Sequence, residues 1–330
     1  MNKPLLTIVV PCFNEEEVLK ETSIQLSTVL TYLIKDSLVS KESKILFVDD
    51  GSKDRTWELI EKESLENPYV TGLKLARNVG HQNALIAGLE TASKQSDCVV
   101  SIDADLQDDI NVIRTFVKKY LEGFDIVYGV RDKRDTDTYF KRTTALGFYR
   151  IMGKIGIKLV PNHADFRLMS KRALDELFKY RETNLFLRGL VPILGFTSTK
   201  VYYDRKERFA GVSKYPLKKM LAFAFDGLTS FSVTPIRFVT FLGFLSVILC
   251  LITGGYAFIQ ELIGHTQSGW TSLILSIWFV GGIQLLGIGI IGEYIGKIYR
   301  EVKKRPRYSV EIDTFSYGKS VEEDSHLLSH

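Results

Sequence analysis

The feature that most constrains this chain is a pair of charge-free apolar runs near its C-terminal end. Between Arg237 and Glu261 the sequence FVTFLGFLSVILCLITGGYAFIQ carries no charge, and after a short polar link WTSLILSIWFVGGIQLLGIGIIG is again uncharged. At a rise of about 1.5 Å per residue, either run as a helix crosses a hydrocarbon core about 30 Å thick. Trp270 and Tyr294 fall where interfacial aromatics belong. The spacing predicts a transmembrane hairpin over 237–297, with spans at about 238–260 and 270–292. Two buried core helices are the alternative, but charge-free runs of this length are uncommon in soluble domains.

The flanking charges predict orientation. Lys214, Lys218, Lys219 and Arg237 precede the first run; Lys297, Arg300, Lys303, Lys304, Arg305 and Arg307 follow the second; the link between them has neither Lys nor Arg. Both ends are expected on the cytoplasmic side. Residues 1–11 are a short strand-like run followed by acidic residues, which does not read as a secretory leader. The segment 216–236 begins PLKKMLAFAFDGLTSF, mixing basic and large apolar residues, and suits either an interfacial amphipathic helix or packing against the soluble part. The stretch 298–330 reads as a basic segment and a polar, largely unstructured tail.

Residues 1–215 have a different texture. LTIVV, KILFVDD, VTGLKL, CVVSIDAD and DIVYGV are strand-like, and segments with helical spacing separate them. This β-α alternation predicts an α/β fold with a mostly parallel sheet covered on both faces. Ligands of such sheets bind beyond the carboxyl ends of the strands. A net charge of +4, from 43 Lys and Arg against 39 Asp and Glu, gives no reason to expect nucleic-acid binding. Cys12, Cys98 and Cys250 are too few and too scattered for a disulfide framework or a zinc site.

Polar clusters stand at the predicted strand ends. Asp49-Asp50-Gly51-Ser52 offers carboxylates to a base or ribose, and reads equally well as a capped turn. Asp103-Ala104-Asp105 follows VVSI; strand alternation would send both carboxylates to one side, a hard-oxygen pair suited to Mg²⁺ or Mn²⁺, with Gln107 and Asp108 close by, and a solvated turn with a helix cap is the alternative. Asp165 is flanked by Phe166 and Arg167, an arrangement that tunes a catalytic acid or makes a structural ion pair. Basic clusters occur at 131–142 and at 205–214. His81 could approach a ligand through its neighbours, but a lone histidine more often serves structure than chemistry. Gly287, Gly289 and Gly292 spell G-x-G-x-x-G, but inside an apolar run this reads as small-residue helix packing, which also permits self-association.

In series, VVPCFNEEE, VDDGSKDRT, LARNVGHQNAL, DADLQD, ADFRLMS and RFAGVSKYPLKKM resemble family 2 of the nucleotide-sugar glycosyltransferases. With the two apolar runs, the chain most resembles the bacterial polyisoprenyl-phosphate glycosyltransferases, the bactoprenol glucosyltransferase group, related to dolichol-phosphate mannose synthases. The resemblance implies a GT-A nucleotide-sugar domain and inverting transfer of a sugar to undecaprenyl or another polyisoprenyl phosphate. It implies glucose from UDP-glucose, with UDP-N-acetylglucosamine and GDP-mannose as alternatives, for modification of a cell-envelope glycan. It places the chain as an integral protein of the bacterial cytoplasmic membrane, in contact with membrane lipid.

By motif matching, Pro11, Asn14, Glu15, Asp49, Asp50, Arg77, Asn78 and Asp103 would bind the nucleotide sugar. Asp105 and Gln107 would hold Mg²⁺ or Mn²⁺, and Asp165, with Asp103, would be catalytic. Arg131, Arg142, Arg205, Arg208 and Lys214 are the expected lipid-phosphate contacts. The family often has Glu or Gln where Val212 stands, and the match around Arg142 is loose. A processive polysaccharide synthase is a poorer fit, since no tryptophan follows an arginine as in that family's Q-x-x-R-W signature. A non-catalytic membrane scaffold or lipid-translocation partner is the alternative of another class, and the intact carboxylates speak against it.

Overall fold

The computed structural model describes residues 3–131, 163–182, 187–204, 234–263 and 269–316. The chain divides into two compact units, Met1–Lys214 with Pro306–His330, and Tyr215–Arg305. Arg142, Arg205, Arg208, Lys214 and most of the expected interfacial segment 216–236 lie outside the described residues.

The first unit is built on an eight-stranded sheet. Its strands are β1 (Leu6–Cys12), β2 (Lys44–Asp49), β3 (Val70–Leu75), β4 (Cys98–Ser101), β5 (Ile126–Arg131), β6 (His163–Ser170), β7 (Ser198–Tyr203) and β8 (Val310–Asp313). The order is β7-β5-β6-β4-β1-β2-β3-β8. β1 pairs in parallel with β2 and β4, β2 with β3, and β5 with β7. β6 runs antiparallel between β4 and β5, and β8 antiparallel along β3. The expected mostly parallel α/β sheet is therefore present, with antiparallel insertions that strand-by-strand alternation did not announce.

The central strands are almost uniformly apolar because both faces are covered. α1 (Leu19–Lys35) contributes Leu19, Leu26, Leu30 and Leu33 to one core cluster with Ile8, Val10 and Phe47. α3 (His81–Ser93) covers the other face, where alternate residues point. A Cβ on its Gly88 would lie 2.4 Å from Val9 Cγ1 and 2.7 Å from Val48 Cγ2, so only glycine lets the helix approach the sheet this closely. α2 (Thr56–Glu66), α4 (Val112–Leu121), α5 (Lys171–Leu177) and α6 (Leu187–Ile193) complete the helices described in this unit.

The tail corrects an expectation. Residues 307–316 are not a free polar segment but return to the sheet. β8 covers the open edge of β3, a place where unpaired backbone groups invite association. Ser309 O accepts the Ala76 N–H at 2.9 Å, Gly72 N–H donates to Thr314 Oγ1 at 2.8 Å, and Lys74 pairs with Glu311 at 3.0 Å. The Tyr308 hydroxyl donates to Glu90 on α3, and Arg307 donates to Tyr180 O at 2.7 Å. Phe315, 7% exposed, anchors the strap in the core. Phe315→Ala is expected to cost about 3 kcal/mol by the usual penalty for emptying a buried aromatic site. The midpoint of denaturant unfolding measures this, and an unchanged midpoint would show that the strap is not anchored there.

The second unit contains α7 (Thr234–Leu262) and α8 (Trp270–Lys303), which pack against each other. Both are longer than the predicted spans. Within the described residues, one stretch, Phe279–Lys303, is long and apolar enough to cross a membrane by length and composition. Of the G-x-G-x-x-G glycines, Gly287 alone meets the partner helix: a Cβ there would lie 3.1 Å from Val239 Cγ1, whereas nothing lies within 4 Å of a Cβ at Gly289 or Gly292.

Candidate active site

Parallel strands β1, β2, β3 and β4 all end at one rim of the sheet, and the loops that leave them are tied together by side-chain-to-backbone bonds. After β1 the chain turns at Asn14, which adopts a positive φ of 53°. Asn14 Oδ1 accepts the Lys53 N–H at 2.8 Å, its own N–H donates to Ser52 Oγ at 3.0 Å, and the Glu15 N–H donates to Thr56 Oγ1 at 2.9 Å. Pro11 is buried within β1, opposite Val48 of β2. Asn14 and Glu15 therefore join the first strand end to the second.

The two aspartates at the end of β2 divide their work. Asp50 accepts the N–H groups of Val79 and Gly80, at 2.7 and 3.0 Å, and so clasps the loop that leaves β3. Asp49 accepts the Ser52 N–H at 3.2 Å through Oδ1, while Oδ2 is buried without a partner among the described residues. Burial pushes the carboxyl groups of both up from the ordinary range, against the hydrogen bonds they accept. A buried acceptor left over is costly to the protein, and a ligand N–H or O–H or a water molecule can satisfy it.

Gly51 sits between these loops with φ +64°, and a Cβ on it would lie 2.6 Å from Arg77 C and Asn78 N. Neither backbone can yield easily. Gly51→Ala is expected to cost about 2 kcal/mol or more, from the left-handed conformation and the collision together. It should also displace Arg77 and Asn78, both exposed at the rim, and so weaken ligand binding. Unfolding midpoints and ligand titrations report the two effects separately, and a variant normal in both would contradict this packing.

The acidic centre lies beside the clasped loop. β4 ends at Ser101, so strand alternation does not govern Asp103 and Asp105, contrary to the sequence-based expectation. They belong to a turn in which Asp105 Oδ1 accepts the Gln107 N–H at 3.2 Å and Leu106 has φ 55°. The antiparallel register opposes Ser101 to Arg167, which carries Asp165, two residues earlier in β6, to the same rim as Asp103. Ser101 Oγ donates to Asp165 O.

The Asp165 side chain is 6% exposed and surrounded by donors. Arg167 donates to Oδ1; Gln82 Nε2 and Arg188 donate to Oδ2, each at 3.3 Å. Burial opposes the charge, but Arg188, His81 and Arg167 outweigh it and hold the carboxyl well below the usual carboxylate range. His81, first residue of α3, places Nε2 3.6 Å from both Asp103 Oδ1 and Asp165 Oδ2. Burial pulls its pKa down, yet the close carboxylates of Asp165 and Asp103 prevail and push it up to about 9. At neutral pH the ring is an imidazolium beside the ionised Asp165, with guanidinium groups behind that acid, while burial pushes the Asp103 carboxyl up from its ordinary range.

Arg131, expected at the lipid phosphate, is instead paired within the protein. Its Nε and Nη2 donate to buried Asp108 at 3.2 and 3.0 Å, and Tyr203 OH donates to the same oxygen at 2.6 Å. Conversely, His81, Gln82 and Arg188 join the site although sequence reasoning assigned them no part in it. The motif LARNVGHQNAL contains the first two, and only its position after a strand end hinted at them; nothing in the spacing pointed to Arg188. Among the described residues no cluster of three His, Cys, Asp or Glu side chains is arranged to hold a metal ion.

A strand-end centre of carboxylates, with an imidazolium and guanidinium groups set among them, can orient a polyhydroxylated ligand through its hydroxyl groups. Residues 7–178 match the glycosyl transferase family 2 model, and residues 234–298 match the GtrB C-terminal hairpin. The chain is 68% identical over 315 residues to the uncharacterized glycosyltransferase YkoT of Bacillus subtilis, covering 96% of this chain and 94% of that one. It is 41% identical over 308 residues to the SfII prophage-derived bactoprenol glucosyl transferase of Shigella flexneri, covering 93% and 97%. A prophage bactoprenol glucosyl transferase homolog of Escherichia coli is 40% identical over 308 residues, covering 93% and 98%. The α/β unit with its mostly parallel sheet is thus GT-A-like, and the chain is a glycosyltransferase that belongs to glycosyl transferase family 2.

Proposed function

We propose that the protein transfers glucose from UDP-glucose to a polyisoprenyl phosphate, of the undecaprenyl type, at the cytoplasmic face of a membrane. The observation that carries this reading is the 41% identity with a bactoprenol glucosyl transferase, which runs through both the strand-end site and the C-terminal helices. The exposed Phe244, Leu251, Leu285 and Leu286 of α7 and α8 support a lipid-facing hairpin, since patches of this kind seldom face water. In this reading 1–215 is catalytic, 216–236 lies in the interface, and the basic residues flanking the helices keep both ends cytoplasmic.

Asp49, with its unpartnered Oδ2, takes a donor group of the nucleotide, and Arg77 and Asn78 meet its phosphates. Asp103 faces the sugar. The hard oxygens of Asp105 and Gln107 fit Mg²⁺ or Mn²⁺, and leave the rest of its ligand shell to the donor's phosphates and water. When bound, that ion stabilises the charge of the departing diphosphate.

The acceptor needs little deprotonation, because a phosphomonoester has its second pKa near ~6 and is largely dianionic at neutral pH. One of its oxygens attacks the anomeric carbon, the nucleoside diphosphate leaves from the opposite face, and the configuration inverts. Asp165 is already ionised and engaged by Arg167, Arg188 and Gln82. It orients its surroundings more than it abstracts a proton. Arg142, Arg205, Arg208 and Lys214 supply cations for the lipid phosphate, whereas Arg131 supports Asp108.

The test is transfer by the purified full-length protein, with polyprenyl phosphate, Mn²⁺ or Mg²⁺, and separately labelled UDP-glucose, UDP-N-acetylglucosamine and GDP-mannose. Label from UDP-glucose is expected in the lipid fraction. Label from another donor would correct the sugar, and label from none would overturn the reading.

A further inference from the structure

His81 lies outside the roles assigned above, yet among the described residues it is the one that forms an ion pair with both acids of the centre. Its place is set by the chain around it. Asp50 fixes the N–H groups of Val79 and Gly80, Gly80 turns at φ +88°, and α3 begins at His81. The ring is therefore delivered by a clasped loop onto the acids, not by a mobile side chain reaching across solvent.

The two acids depend on it unequally. Asp165 has Arg167, Arg188 and Gln82 as further donors. Asp103 has none: among the described residues no hydrogen bond reaches its carboxylate, Oδ1 is buried without a hydrogen-bond partner, and His81 at 3.6 Å is its ion-pair partner. Asp105, Asp108 and Asp165 stand around Asp103 as further carboxylates, so among the described residues the cation at 3.6 Å is what keeps its side chain turned toward Asp165.

We propose that His81 is a positioning residue of the transfer site, whose ring holds the Asp103 carboxylate beside Asp165 and so fixes the acid that faces the donor sugar. The proposal deepens the reading of Asp103 as a sugar contact and rests on it. Its consequence is selective: losing His81 should damage recognition of the sugar and leave recognition of the nucleotide.

The experiment titrates the full-length protein in detergent with UDP-glucose and, separately, with UDP. Wild type is compared with His81→Gln, Asp103→Asn, the double variant and His81→Lys. His81→Gln is expected to weaken UDP-glucose about tenfold, between the scale of an exposed ion pair and that of a buried one, and to leave UDP within about twofold. The double variant should bind UDP-glucose little worse than either single one, since coupled residues are not additive. His81→Lys, which keeps a cation, should recover most of the loss.

Equal weakening of UDP and UDP-glucose would mean that His81 merely supports the loop. Additive losses, or no loss, would remove its link to Asp103; each of these results overturns the proposal. Wild type that binds UDP-glucose but transfers nothing to polyprenyl phosphate overturns the acceptor reading while the His81 comparison stands. Wild type that binds neither UDP nor UDP-glucose overturns both.

Discussion

Asp165→Asn is expected to lower turnover by about a hundredfold or more and to destabilise the soluble unit by about 3–5 kcal/mol. The substitution keeps shape and removes charge. Arg167 is 2% exposed, donates to Asp165 through one terminal nitrogen, and has Nη1 without a partner among the described residues. Without the carboxylate its guanidinium becomes a buried cation with no anion against it, and removing one member of a buried pair costs far more than the pair itself contributes. Arg188 and His81 lose the same anchor. The acidic centre then drifts, because it consists of charges that hold one another. Denaturant unfolding measures the first effect, and steady-state transfer per mole of folded protein the second. Near-normal turnover with intact donor binding would exclude any role of Asp165, as base or as organiser.

The same residues show how far the sequence could be read. β1 to β3 and β5 were legible within two residues, since apolar strands buried on both faces stand out against charged helices. β6 was not, because an antiparallel insertion between β4 and β5 leaves no periodic trace, and that insertion is what brings Asp165 to Asp103. β8 was mistaken for tail because VEID is an edge strand whose burial pattern is exposed to half-buried, with none of the apolar alternation of a core strand. Asp50 looked like a ligand-binding acid, and its bonds to two backbone amides could not be inferred from a row of side chains. Arg131 looked like a free cation for the same reason: its partners Asp108 and Tyr203 come from distant elements. Strand-end position told where the acids gather. It did not tell which of them hold loops.

Stability should depend on pH in a way that isolates His81. The thermal midpoint of the full-length protein is expected to fall as pH rises from about 6.5 to about 9, because the folded protein keeps the His81 proton that the unfolded chain has already released. A raised histidine stabilises fully below its unfolded pKa, and that contribution disappears as pH climbs through the folded value. The charged groups facing the ring set the size of the effect: Asp103, Asp165 and Asp50 favour the imidazolium, and Arg188 opposes it. Since 38% of the side chain meets solvent, the full linkage value is reduced by screening to about 1 kcal/mol, or about 3 °C. Above pH 9 a second decline should begin, as burial keeps the Cys12 and Cys98 thiols protonated in the folded protein beyond their ordinary range. Tyr120 and Tyr128, pushed up to about 12, add to it only above about pH 10. His81→Gln should flatten the first decline and leave the second. On the acid side the sign reverses: the depressed Asp165 stabilises above the ordinary carboxylate pKa and loses that contribution as pH falls through its folded value. A variant with the wild-type slope between pH 7 and 9 would show that the imidazolium between Asp103 and Asp165 does not form.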